Sequence, residues 1–221
     1  MEFDFSPVFE SGWFLLSGVG VTILLAFLAV LCGTILGTAM GLGRIYGPRW
    51  LSLVITFYID SMRAIPVLVI LVWVYFAFPI LTGLSMPPFW AALAALSFHL
   101  AAYVAEILRA GIESIRPGQT RAGLALGMST AQLVRKVILP QAFVRMLPDF
   151  GSIISRTIKD TAIATVIAVP ELMRRADTIA TQSYRPIEVF TVALIIYFIL
   201  IFPVTRVVDV FYRRVAHLGR S

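Results

Sequence analysis

The 221-residue chain is 59% hydrophobic and only 14% charged, with a mean hydropathy of +0.91, so it carries more apolar material than a water-soluble core of this length can absorb. That composition predicts an all-α integral membrane protein. A net charge of +6 could attract nucleic acid, but the basic residues flank apolar runs, as they do at a cytoplasmic membrane face, and no nucleic-acid partner is expected.

The N-terminal stretch MEFDFSPVFESGW is acidic, the wrong sign for the n-region of a signal peptide, so the first apolar run is expected to be kept as a span. A helix crossing the hydrocarbon needs about 20 residues. No charged residue occurs from Ser11 to Gly43, and Cys32 stands alone inside this run, which excludes an internal disulfide or a CxxC metal site. None occurs again from Ala64 to Ala105, a run long enough for two crossings, broken where FPILTGLSMPPFW brings Pro79, Gly83, Pro87 and Pro88 together beside the interfacial Trp90. The stretch 148–169 carries Arg156, Lys159 and Asp160 in its first half and is still expected to cross. Val189 to Thr205 is uncharged and supplies the last span. The expected spans are about 13–42, 55–79, 88–109, 148–169 and 188–212, in a single transmembrane domain, 1–221, with the loop 110–145 between the third and fourth spans.

Five spans with the N-terminus outside and the C-terminus inside put every one of the 18 Lys and Arg residues on the cytoplasmic side except Arg174, Arg175 and Arg185. That bias sets the expected orientation and places the loop in the cytoplasm. In the loop, Pro117-Gly118 signals a turn into a short helix whose Ala122, Ala125 and Leu126 share a face, closed by a left-handed Gly127. Ser129 with Gln132 reads as a capping box opening a second helix, which Pro140 is expected to interrupt. The loop is then either a docking element of small side chains or an amphipathic pair anchored in the headgroups.

A charge near the bilayer centre costs about 3 kcal/mol or more, so ionisable groups in spans face protein or water. Arg63, Glu106, Lys159 and Asp160, with Thr161 beside them, are candidates for a solute path. Arg63 and Lys159 could instead snorkel to the interface, and Glu106 could pair with a cation to hold spans together. Asp60 lies one turn from Arg63 and could neutralise it. His99 falls mid-span with Tyr103 four residues on and Glu106 a turn deeper, so it either satisfies a helix contact or heads a polar track. Pro66 and Pro170 can kink or stop their helices. The stretch 171–188 is expected outside, with Glu171, Arg174, Arg175, Asp177 and Glu188 forming a mixed-charge surface.

RAGLALG (121–127) and ILPQA (138–142) resemble the loop signature of the membrane subunits of ATP-binding-cassette (ABC) importers: E-A-A, then L-G, then I-L-P. GVGVTILLAF, MRAIPVLV (62–69), AAYVAEILRAGIESIRPGQ (101–119) and IKDTAIATVI (158–167) look like the polar amino acid uptake branch, so the resemblance covers nearly the whole chain. It implies a permease subunit in a bacterial inner membrane that pairs with a second permease chain, identical or homologous. It further implies two ATPase subunits carrying ATP and Mg, an extracytoplasmic solute-binding protein, and an amino acid or related zwitterionic solute. Gln119, Arg121, Ala122, Gly123, Ala125, Leu126, Gly127 and Ser129 would form the coupling helix docked on an ATPase. Two positions depart from the signature, Arg121 at its glutamate and Gly123 at its last alanine.

The chain has no GxxxxGK[ST] loop, no HExxH and no GxSxG, so no cofactor, metal site or catalytic residue is expected in it and the energy must come from a partner. The rival readings are a non-transporting membrane scaffold and half of an ion-coupled secondary carrier.

Overall fold

The computed structural model describes residues 3–215; Met1, Glu2 and 216–221, including the His217 and Arg220 of the sequence, lie outside the described residues. Among the described residues the chain is helical and contains no strand. The helices are α1 (Ser6–Glu10), α2 (Gly12–Tyr46), α3 (Arg49–Ala64), α4 (Val67–Thr82), α5 (Pro88–Glu113), α6 (Pro117–Ala125), α7 (Thr130–Ile167), α8 (Leu172–Ser183) and α9 (Pro186–Val215). Helices α2, α5, α7 and α9 are each long and apolar enough to cross a membrane, and the pair α3–α4 makes a fifth crossing if it is counted as one span.

Helix α5 is the centre of the bundle: 67% of its most apolar window is buried, against 17% for α9, so the other spans pack around it. Its tightest partner is α2. In bilayer, helices gain little from hiding apolar surface and associate through close packing, which small residues permit. Gly33, Gly37 and Gly41 recur at every fourth position of α2 and form that contact stripe. A Cβ on Gly33 would stand 2.2 Å from Leu100 Cδ2, and one on Gly37 would stand 2.5 Å from the Ala101 carbonyl oxygen. Ala95, Ala101, Ala102 and Ala105 of α5 are fully buried.

The stretch 55–79 is two helices, because α3 ends at Ala64 and α4 leaves at 106° to it. Ile65 precedes Pro66 and is extended at φ −91°, ψ 130°, the conformation the proline ring imposes on its predecessor. Pro140, by contrast, does not interrupt its helix. Residues Val134–Ile138 widen into a π turn in which Leu139 N–H reaches the Val134 carbonyl, and α7 continues through the proline to Ile167. The wider turn makes room for a ring that would otherwise strike the preceding carbonyl. The same device occurs at Trp73–Ala77, just before Pro79, where Phe78 N–H reaches the Trp73 carbonyl. At its other end α7 tightens into a seven-residue 3-10 run, Thr161–Ile167, followed by Ala168 at φ +61°.

Candidate functional site

Three groups of residues hold the candidate chemistry. The first is the loop between α5 and α7. Helix α6 closes with Gly127 at φ +76°, its amide donating to the Leu124 carbonyl while Met128 N–H reaches back to the Gly123 carbonyl. That paired closure is the Schellman arrangement, and it requires the left-handed residue that glycine supplies. Ser129 and Gln132 then cap α7 reciprocally, with Gln132 N–H to Ser129 Oγ at 3.3 Å and Ser129 N–H to Gln132 Oε1 at 3.0 Å. Arg121, Ala122, Ala125, Gly127 and Ser129 are exposed, and Leu126 is 82% exposed, whereas Gln119 is half-buried. Gly123 is buried, because an added Cβ would meet Leu133 Cδ1 at 2.5 Å; glycine here lets the two loop helices close on each other.

The second group is an ionic knot centred on Glu106. Its carboxylate receives Arg44 Nη1 at 2.8 Å and Arg109 Nε at 3.1 Å, a further bond from Arg109 Nη2, and Arg63 Nη1 at 3.7 Å. Arg63 turns to Glu106 rather than to Asp60 on its own helix. The knot ties α2, α3 and α5 together.

The third group is a cleft between α5 and α7. It is lined by His99 and Tyr103 on one side and by Arg156, Thr157 and Asp160 on the other, with a free volume of about 10 Å³, close to the space of one water. Arg156 lies over the Tyr103 ring at 4.9 Å and pairs loosely with Asp160 at 3.6 Å. Arg63 approaches the same ring at 5.7 Å, which joins knot and cleft. His99 is 5% exposed, and neither ring nitrogen makes a hydrogen bond within 3.5 Å among the described residues, although the Met62 backbone lies near enough to act on the ring. Of the residues expected along a solute path, His99, Tyr103 and Asp160 therefore meet in the cleft, Arg63 and Glu106 meet in the knot, and Lys159 is exposed outside both. Thr161 is fully buried, its hydroxyl donating to the Ile158 carbonyl of its own helix. Arg156 and Thr157 belong to the cleft and were not among the expected path residues. The i, i+4 spacing of Arg156 and Asp160 was the available signal.

The mixed-charge surface expected at 171–188 is smaller than its sequence suggests. Glu171 is fully buried and Glu188 is 4% exposed, so neither carboxylate belongs to it. Glu171 caps α8, and burial pushes its carboxyl above the ordinary range, against the opposing pull of the Met173 and Arg174 amides and the Tyr197 and Thr22 hydroxyls. Arg175 folds back to donate to the carbonyls of Phe14 and Pro170. Arg174 and Asp177, 3.4 Å apart, remain at the surface.

Comparison with known proteins bears on what these groups do. Residues 29–217 match the family described as binding-protein-dependent transport system inner membrane component. The arginine transport system permease protein ArtQ of Bacillus subtilis is 36% identical over 93% of this chain and 94% of its own length. The glutamine transport system permease protein GlnP of Escherichia coli is 34% identical over 90% of this chain and 92% of its own length. A crystal structure of an amino acid ABC transporter with histidines superposes at a TM-score of 0.91 with 36% identity, covering 97% of this chain and all of that one. The chain belongs to the inner-membrane components of binding-protein-dependent transport systems, the permease subunits of ABC importers, which transport while separate subunits hydrolyse ATP.

Proposed function

We propose that this permease carries a zwitterionic amino acid along the α5–α7 cleft, which holds about one water as it stands and must open between α5 and α7 for solute to pass, with the α8 end of the bundle outside and the α6 loop in the cytoplasm. Family membership implies ATPase partners and a second permease chain. In the proposed assembly two ATPase subunits, using ATP and Mg, receive the α6 loop of each permease, and a solute-binding protein delivers solute at the α8 face. The exposed Leu126 and the small residues around Gly127 suit a groove on an ATPase that closes tightly over backbone.

The observation that carries the solute reading is the orphaned His99 imidazole facing Arg156 and Asp160. A buried polar group without a partner is costly, and one placed in a cleft is satisfied when a ligand or water arrives. Arg156 offers a fork for a carboxylate, Asp160 accepts from an ammonium, and the long Arg156–Asp160 pair is loose enough to exchange for such a zwitterion. The arginine and glutamine transport of the relatives and the histidines of the solved neighbour support the same solute class.

The test is uptake by the complete transporter in liposomes, with radiolabelled arginine, glutamine and histidine offered separately. Asp160→Asn and Arg156→Ala are expected to lower uptake by about ten-fold or more while the protein still inserts, the loss of roughly one charged hydrogen bond. Wild-type uptake by both variants would remove the cleft from the path. Uptake driven by an ion gradient without ATPase would favour the secondary carrier instead.

A further inference from the structure

The carboxylate of Glu171 has no part in the transport chemistry described above, yet it is fully buried and its bonds join three elements, the start of α8, α2 and α9. Its Oε1 accepts Arg174 N–H at 2.7 Å, and its Oε2 accepts Met173 N–H at 2.9 Å and Tyr197 O–H at 2.9 Å, with Thr22 Oγ1 at 3.5 Å. Thr22 also receives Leu172 N–H at 3.1 Å. Thr22 lies on α2 and Tyr197 on α9, so one side chain fastens the start of α8 to two spans. Arg175 adds a second fastening to α2 through the Phe14 carbonyl at 3.0 Å. Leu15, Leu172, Ala176, Ile179 and Val189 pack into one apolar cluster beneath these bonds, and the whole makes a fixed block.

The segment joining this block to the cleft is the seven-residue 3-10 run Thr161–Ile167, which begins immediately after Asp160. Such runs seldom exceed three or four residues, because their hydrogen bonds are poorer than those of an α-helix. A 3-10 helix rises about 2.0 Å per residue and an α-helix about 1.5 Å, so relaxation of the run to α would shorten it by roughly 3.5 Å. Ala168, left-handed at φ +61° without being glycine, adds strain at the far end. Ala164, Ile167 and Val169 seat the run in the apolar core beside α5, and Glu171, three residues beyond Ala168, adds the hydrogen-bonded anchor at its end.

We propose that Glu171 is a positioning residue for transport: by fixing the outer end of the 3-10 run it sets the depth and rotation of Asp160 and Arg156 against His99. Release of the anchor lets the run shorten and draws Asp160 out of register with the cleft. The inference rests on the cleft being the solute path.

The experiment uses the complete transporter in liposomes, measuring the KM of uptake and the solute carried per ATP hydrolysed, with the same three radiolabelled amino acids. Glu171→Gln keeps the size of the side chain but sets an amide N–H against Met173 N–H. Tyr197→Phe removes a single hydrogen bond and leaves the cap intact. Tyr197→Phe is expected to raise the KM about five-fold, the equivalent of one hydrogen bond, and Glu171→Gln by more, both with fewer solutes per ATP. Lower yield or thermal stability with unchanged KM and unchanged solute per ATP in both variants would show a plain helix cap and overturn the proposal. Asp160→Asn is run alongside. If it impairs uptake and the Glu171 and Tyr197 variants do not, the anchor alone is refuted; if it too transports normally, the cleft reading fails and the anchor inference with it.

Discussion

Gly127 and Ser129 show what single residues can announce. A left-handed glycine followed by a reciprocal Ser–Gln cap is a local pattern whose partners all lie within a few residues, so the sequence alone placed the elbow correctly. Glu171 shows the opposite case. Arg174, Arg175 and Asp177 follow within six residues and it reads as surface, whereas the side-chain donors that reach it come from Thr22 and Tyr197, 149 and 26 residues away. Arg156 reads only as a charge within an expected span for the same reason, since the Tyr103 ring it lies over belongs to another helix. At this scale the elbow invites a test. A side chain on Gly127 would meet nothing within 4 Å, so Gly127→Asp costs only the left-handed backbone, about 1 kcal/mol, and leaves the fold intact. The variant is expected to insert normally and to lose solute-stimulated ATP hydrolysis in liposomes; retention of full stimulation would argue against docking at the elbow.

Among the elements, helix α7 departs most from its sequence pattern. Pro140 reads as a stop, and in an α-helix of ordinary pitch it would be one; the π turn at Val134–Ile138 absorbs it and makes the loop helix and the span a single rod. No composition rule distinguishes a proline that ends a helix from one seated behind a wide turn, because the difference lies in one extra residue of register. Pro66 reads the same way and does end its helix, with Ile65 extended. A rod through the loop gives any force on α6 a stiff route to Arg156 and Asp160 on the same helix. Pro140→Ala removes the need for the wide turn and allows an ordinary α turn, rotating the loop helix by about 100° relative to the span. Insertion and abundance are expected to be unchanged, while solute carried per ATP falls several-fold in the same liposome assay. Equal coupling in the variant would mean that the rod does not carry the stroke.

For the molecule as a whole, length and hydropathy were enough to read a helical membrane protein, and the basic residues supply an expected orientation. The arrangement of the spans was not legible in the same way, because hydropathy is blind to which faces meet. Phe27, Phe57 and Trp13 are more than half exposed although they are as apolar as the core, as expected where lipid or a second permease chain supplies the surroundings. Orientation is testable with one thiol. In a Cys32→Ala background, Gly127→Cys is expected to resist a membrane-impermeant maleimide added to intact cells and to react once the membrane is opened. Labelling in intact cells would reverse the reading of both faces.

The glycine ladder of α2 bears on how the protein is made as well as on how it is held. Its counterpart α5 leaves the ribosome only after the bent pair α3–α4, so the closest interface in the molecule joins segments that enter the bilayer at different times. Biogenesis must therefore keep the first segment waiting, loosely held, until the third arrives to zip against it, and a bulky residue on that ladder would do its harm during assembly, before transport is ever attempted.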